Sequence, residues 1–206
     1  MIRKLLHSSA VAIIIAAALS TPASAQDPET GIKPKSEYPA EVVEIVERGF
    51  VEALTDSEAE LLKTEYPELA AVTPDYRGED DEEVTLVAPA GFTRASSGCA
   101  TASGTHHSKT LLGFPFYDMT TSVRFCWDDS RVTSVSNLNT QFRNISSMAE
   151  LGGEVERITR PGTNGYAQHK FMVRNVVPVW GQVNVKYPFN DFTLYTNARS
   201  VHRHGE

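Results

Sequence analysis

The sequence predicts a mainly β protein, an antiparallel β-sandwich or barrel of about seven to nine strands, preceded by a short acidic helical segment. Three observations predict it. From Val84 onward, short runs of Val, Thr, Phe and Tyr alternate with Gly, Pro, Asn and Asp, and almost no helical period intervenes. The charge changes sign at the same place: residues 26–83 hold 18 Asp and Glu against 5 Lys and Arg, whereas residues 84–206 hold 8 against 12. The two cysteines, Cys99 and Cys126, both fall in the later region. The organisation expected is therefore a leader (1–25), an acidic, partly disordered segment with one or two helices (26–83) and an antiparallel β domain (84–206).

Residues 1–25 read as a signal peptide: Arg3 and Lys4, an apolar core from Ala10 to Leu19, and Ala23-Ser24-Ala25 before Gln26. A secreted, extracellular chain is the expectation. A membrane-spanning helix needs about 20 apolar residues, and Ser20, Thr21 and Pro22 interrupt this run. Cleavage thus leaves no transmembrane segment; an uncleaved leader acting as an anchor is the alternative. The remaining 181 residues carry 17 basic and 26 acidic groups, a sign that argues against nucleic acid as a partner.

In the acidic segment, Pro28, Pro34 and Pro39 among polar residues read as an extended tail. Val43, Val46, Phe50 and Leu54 then recur at helical spacing opposite Glu41, Glu44, Arg48 and Glu52, which predicts an amphipathic helix weakened by Gly49. Thr55 and Glu58 form a capping box, so a second helix starts there, packs Ala59, Leu62 and Tyr66, and ends at Pro67. The acidic run Glu79 to Glu83 lacks the alternating Asp spacing and turn glycine of a calcium loop and reads as a solvated boundary. Two roles remain open for the whole segment: a solvated lead-in, or a pro-segment docked on the basic region behind it.

In the β region the clearest strand is Gly181 to Tyr187, with Val183, Val185 and Tyr187 on one face. Phe192 to Thr196 is expected to form a hairpin with it across Pro188 and Asn190-Asp191. Phe116–Trp127 and Arg131–Phe142 form a second pair around Asp128-Asp129-Ser130, and further strands are expected at 83–87, 109–112, 155–159 and 166–177. An oxidising compartment makes a Cys99–Cys126 disulfide the default. Cys126 faces away from Phe125 and Trp127, so the bridge is expected on the outer face of its strand.

The run Leu111-Leu112-Gly113, Phe116-Tyr117, Val123, Phe125-Cys126-Trp127, Asp128 and Val132-Thr133-Ser134-Val135 resembles a segment of small secreted β-rich proteins of actinobacteria, which have no assigned activity. Ser130 stands where that pattern usually has a turn glycine. The resemblance implies secretion and β structure and transfers no functional residue.

No G-x-S-x-G elbow, H-E-x-x-H helix, P-loop or G-x-G-x-x-G fingerprint occurs, and no cofactor or metal is implied. The cluster from Ser96 to Ser108 reads as a surface loop in which His106 or His107 is a candidate base, oriented by Asp118 or Asp128. His202 and His204 read as part of a frayed tail. Trp180, Tyr187 and Tyr195 are candidates for a sugar or peptide groove, with core packing as the alternative, and Asn144-Ile145-Ser146 matches a glycosylation acceptor. The leading expectation is a secreted, non-enzymatic module that binds a protein, glycan or cell-envelope ligand. The alternatives are a secreted hydrolase at His106/His107 and a toxin or effector restrained by the acidic segment.

Overall fold

The structure, a computed structural model, describes residues 31–77, the backbone of 83–86, and residues 97–206. The leader, residues 26–30, most of the acidic run, Val87 and Ser96 lie outside the described residues.

The acidic segment folds into α1 (Ala40–Gly49), α2 (Asp56–Glu65) and the single turn α3 (Pro67–Ala70). α1 buries Val42, Ile45, Val46 and Gly49, a stripe shifted from the expected one, with Val43 only half-buried. Gly49 is required by packing, because a Cβ there would lie 2.6 Å from Cγ2 of Thr73. The Thr55–Glu58 capping box opens α2: the Glu58 amide donates to Thr55 Oγ1 and the Thr55 amide donates to Glu58 Oε2. Pro67 ends that helix and starts α3, since its missing N–H costs nothing at a first helical position.

Nine strands follow: β1 (Glu83–Leu86), β2 (Gly98–Lys109), β3 (Pro115–Trp127), β4 (Val132–Arg143), β5 (Ala149–Arg160), β6 (Gly165–Val177), β7 (Gly181–Lys186), β8 (Phe189–Leu194) and β9 (Arg199–Gly205). They form two antiparallel sheets, β2-β3-β4 and β1-β9-β8-β6-β5, with β7 also paired to β6. This is the expected antiparallel sandwich with helices preceding it.

Three local expectations are corrected. The stretch from Gly98 to Ser108 is not a loop but most of β2, paired in register with β3. Its burial alternates, with Ala102, Gly104, His106 and Ser108 inside and Ser103, His107 and Lys109 outside, so period outweighs a turn-like composition. Residues 110–114 accordingly form a turn, with Gly113 at a φ of 80°, rather than a strand. Second, β7 and β8 are not hairpin partners: both pair with β6, β7 against Val173–Val177 and β8 against Gly165–Lys170. Pro188 interrupts an otherwise continuous run of chain along one side of β6, and its carbonyl still accepts from the Phe171 amide at 3.0 Å. Third, the C-terminal residues are no frayed tail, for β9 lies between β1 and β8 and His202 is fully buried. Tyr187, expected in the core, is 45% exposed.

The interior is layered. One apolar cluster joins the helical residues Val46, Phe50, Leu62 and Leu69 to Phe116, Tyr117, Met119, Val173 and Val177 of the strands. Residues 31–77 are therefore packed on the sandwich rather than solvated, and Ile32 and Tyr38 of the expected extended tail are buried in the same cluster. Strand β7 ties this layer down: Trp180 Nε1 donates to the Lys33 carbonyl, Asn184 Nδ2 to that of Phe50 and Lys186 Nζ to that of Val51. A second cluster, with Val123, Phe125, Trp127, Phe192 and Leu194, fills the other end. Between the two, strand by strand, lie the buried polar residues His106, Thr121, His169, Asn190 and His202.

Candidate functional site

Alternation on β2 sends the adjacent histidines to opposite sides of the sheet. His106 is fully buried, its Nε2 3.3 Å from Glu206 Oε1, and the Tyr117 hydroxyl donates to the same carboxylate. Burial alone would raise the Glu206 carboxyl, but the bond and charge of His106, with Tyr117 and Lys186, outweigh it and hold the group below its usual range. The rings of His106 and His204 lie 4.9 Å apart and those of His204 and His202 5.4 Å apart. Gly104 makes room for this, since a Cβ would stand 2.3 Å from His202 Nδ1. Burial first, then the neighbouring His204 and His106, push His202 down to about 4.

From His202 a directed chain of hydrogen bonds crosses the interior. Asn190 Nδ2 donates to the Met119 carbonyl and to Thr121 Oγ1, both at 2.9 Å, which fixes its Oδ1 as the acceptor for His202 Nε2 at 2.8 Å. At the other end the Glu154 carboxylate can only accept, so His169 Nε2 donates to it at 2.7 Å, His169 Nδ1 accepts from Thr140 (2.7 Å) and Thr140 accepts in turn from Thr121 (2.7 Å). Burial holds His169 below its usual range despite the opposing Glu154 carboxylate. His106 and His202 are thus committed to the interior. Among the described residues, no group of three His, Cys, Asp or Glu is arranged to hold a metal ion.

The outer face of the same three strands is different. The register sets five rows across β2, β3 and β4: Cys99–Cys126–Ser134, Thr101–Arg124–Ser136, Ser103–Ser122–Asn139, Thr105–Thr120–Gln141 and His107–Asp118–Arg143. Every member is half-buried or exposed, and apart from the Cys99–Cys126 disulfide all are polar, with no aliphatic residue and no Phe, Tyr or Trp. The disulfide Cys99–Cys126 closes the first row, on the face opposite Phe125 and Trp127, as the alternation requires. Thr105 and Thr120 share a 2.9 Å hydrogen bond. In the last row His107 Nδ1 lies 2.6 Å from Asp118 Oδ1, and Asn144 Nδ2 donates to Asp118 Oδ2 at 2.5 Å. The face thus unites His107 with Asp118, as the sequence suggested, and excludes His106.

The other candidates are dispersed. Asp128 caps the β3–β4 turn, where one carboxylate oxygen accepts from the Ser130 amide, the Ser130 hydroxyl and the Arg131 amide; these bonds lower its pKa and hold the turn. Trp180, Tyr187 and Tyr195 are strung along the β7–β8 edge seven and eight residues apart, roughly 20 Å or more at strand rise, and do not share a groove. Trp180 packs edge-on to Tyr38 and under Lys35, while Tyr195 stacks with Arg199. An open groove of about 490 Å³ lies between α1 and α2, lined by Glu41, Glu44, Arg48 and Glu58. Arg48 is already paired with Glu52 and Glu58.

Arg124, Arg143, Ser122 and Asn139 had no place among the residues singled out from sequence. The polar positions of β3, Asp118, Thr120, Ser122 and Arg124, alternate with apolar ones and carried the signal.

The geometry is that of an antiparallel β-sandwich, with the polar outer face of its three-stranded sheet as the candidate site. No family model and no curated protein matches the sequence. Among solved structures, a hypothetical protein of Listeria monocytogenes EGD-e aligns over 64% of this chain and 99% of its own, with 11% identity and a TM-score of 0.33. That likeness is too small to carry an argument.

Proposed function

We propose that the protein is a secreted, non-enzymatic binding module whose ligand lies on the outer face of the three-stranded sheet. The observation that carries this reading is the face itself: five registered rows, polar apart from the disulfide and rich in Ser, Thr and Asn, with no apolar cover among the described residues. Short Ser, Thr and Asn side chains lose little rotamer entropy on contact and keep the surface flat, so a partner gains many hydrogen bonds at small ordering cost. The leader and the disulfide support export, and the resemblance to secreted actinobacterial proteins agrees with it. The test is retention of the purified chain on cell-envelope fragments and immobilised glycans. Ser122→Tyr and Asn139→Tyr, which obstruct the face, should abolish retention. Gln168→Tyr on the other sheet and His106→Ala in the interior should not. Retention indifferent to the first pair, or none at all, refutes the reading.

A second reading rests on the His107–Asp118 pair. Asp118 holds the Nδ1–H of His107 and leaves Nε2 as an exposed base, the arrangement of a general base in hydrolysis. Nε2 makes no hydrogen bond to a hydroxyl among the described residues, so it would activate water rather than a protein nucleophile. Turnover of an ester, peptide or glycoside that His107→Ala abolishes would establish it; turnover unchanged by that substitution removes this site.

A further inference from the structure

We infer that the ligand of the outer sheet face is an extended acidic polysaccharide, whose carboxylates or other anionic groups are held by Arg124 and Arg143. This rests on the binding reading above and deepens it by naming the class of ligand.

The first argument is charge. Three cations stand on or at the end of this face, Arg124 on β3, Arg143 on β4 and Lys109 at the end of β2, all exposed and none in an ion pair among the described residues. The one carboxylate on the five rows, Asp118, already serves His107 and Asn144. Arg143 makes only a 3.4 Å bond to Gln141 on its own strand. The face therefore carries uncompensated positive charge on a chain whose overall formal charge is −7, a local inversion that draws in an anion. Guanidinium groups bind carboxylate, sulfate or phosphate through two parallel bonds.

The second argument is what the face lacks. A protein partner is usually anchored by buried aromatic or aliphatic side chains, and none of the fifteen register positions supplies one. Single-stranded nucleic acid needs aromatic platforms for its bases, and duplex DNA a denser basic stripe. A neutral sugar chain is commonly held by stacking on aromatic rings, again missing here. What fits is a ligand that needs no stacking, offers hydroxyls to Ser, Thr, Asn and Gln, and carries spaced negative charge. Arg124 and the row of Arg143 are six residues apart on β3, roughly 20 Å at strand rise, so the ligand must span several sugar units. A single monosaccharide cannot engage both.

The experiment is affinity electrophoresis of the whole purified chain through gels containing polygalacturonate, alginate or hyaluronan, each also in carboxyl-reduced form, with duplex DNA as a further probe. Retardation by at least one acidic polymer, lost on carboxyl reduction and weakened at least tenfold by Arg124→Gln with Arg143→Gln, is the expected result. Both arginines are exposed, so circular dichroism of the double variant should match the parent. Three outcomes overturn the inference: equal binding to acidic and reduced polymers, stronger binding to DNA, or no retardation by any polysaccharide. Equal binding that Ser122→Tyr abolishes leaves the binding module standing while removing the acidic ligand. No retardation, combined with retention on envelope fragments, does the same.

Discussion

Two regions of the molecule use the same side chains to opposite ends. Inside, between the two apolar clusters, a chain of hydrogen bonds runs from His202 through Asn190, Thr121 and Thr140 to His169 and Glu154, while Nδ1 of His202 and of His106 has no hydrogen-bond partner among the described residues. Outside, one residue away on each strand, His107, Thr120 and Arg124 face water, and only some are paired. A buried polar group left unbonded costs about 1–3 kcal/mol, so the members of this bonded chain are held in place by energetics. The outer set has no such debt and is open to a ligand. The difference teaches that residue type alone assigns no role here; the face of the strand does.

The comparison breaks first at Asn190, where the inner chain turns. Asn190→Leu should lower unfolding stability by about 4 kcal/mol, because it strips a partner from His202 Nε2, Thr121 and the Met119 carbonyl together. Chemical denaturation measures it, and a loss under about 1 kcal/mol would show that the chain matters little. Next, Cys99→Ser with Cys126→Ser releases a loop of sequence separation 27. By the loop-entropy relation this costs about 3.5 kcal/mol, read as a shift in urea midpoint without change of fold by circular dichroism.

Acid distinguishes the two regions more directly. His202 falls from 6.5 to about 4 on folding, so between those values the unfolded chain binds the extra proton and stability rises with pH. It should therefore drop by about 3 kcal/mol as pH falls from 6.5 to 4, and His169, also lowered, acts in the same direction. Glu206, lowered as well, adds its loss only below its ordinary carboxylate range, where its stabilising ionised form is titrated away. Urea midpoints at several pH values test this. The slope above pH 4.5 should flatten in His202→Gln and persist in His107→Ala, whereas a flat profile in the parent contradicts the assignment. Gly104→Ala is a smaller perturbation, about 2 kcal/mol, because the new methyl must displace the His202 ring.

The fold class, the β3–β4 hairpin, the capping box and the disulfide were legible because each depends on local period, local capping or compartment. What stayed hidden depends on partners far away in the chain. β2 reads as a loop from its Ser and Gly content, since its inner face meets the His202 ring and needs Gly104 there rather than Val or Ile. β7 and β8 read as a hairpin because Pro188 lies between them, and only their pairing with β6 shows them to be one interrupted strand along its side. Of the candidate site, the His107–Asp118 pair was legible by residue type, but Arg124 and Arg143 join it only through the register of β3 with β4.

The smallest expected effect sharpens the comparison most. Thr105→Ala and Ser122→Ala remove hydroxyls from the outer face, where solvent replaces whatever bond is lost, so each should change stability by less than about 0.5 kcal/mol. Thr121→Ala, one position inward from Ser122, removes a buried bond to Asn190 and another to Thr140, and should cost about 2 kcal/mol or more. Neighbouring residues of similar size on one strand would then differ at least fourfold in their contribution. If Ser122→Ala destabilised as much as Thr121→Ala, the outer hydroxyls would be structural, and a face held by its own hydrogen bonds would have little left to offer a ligand.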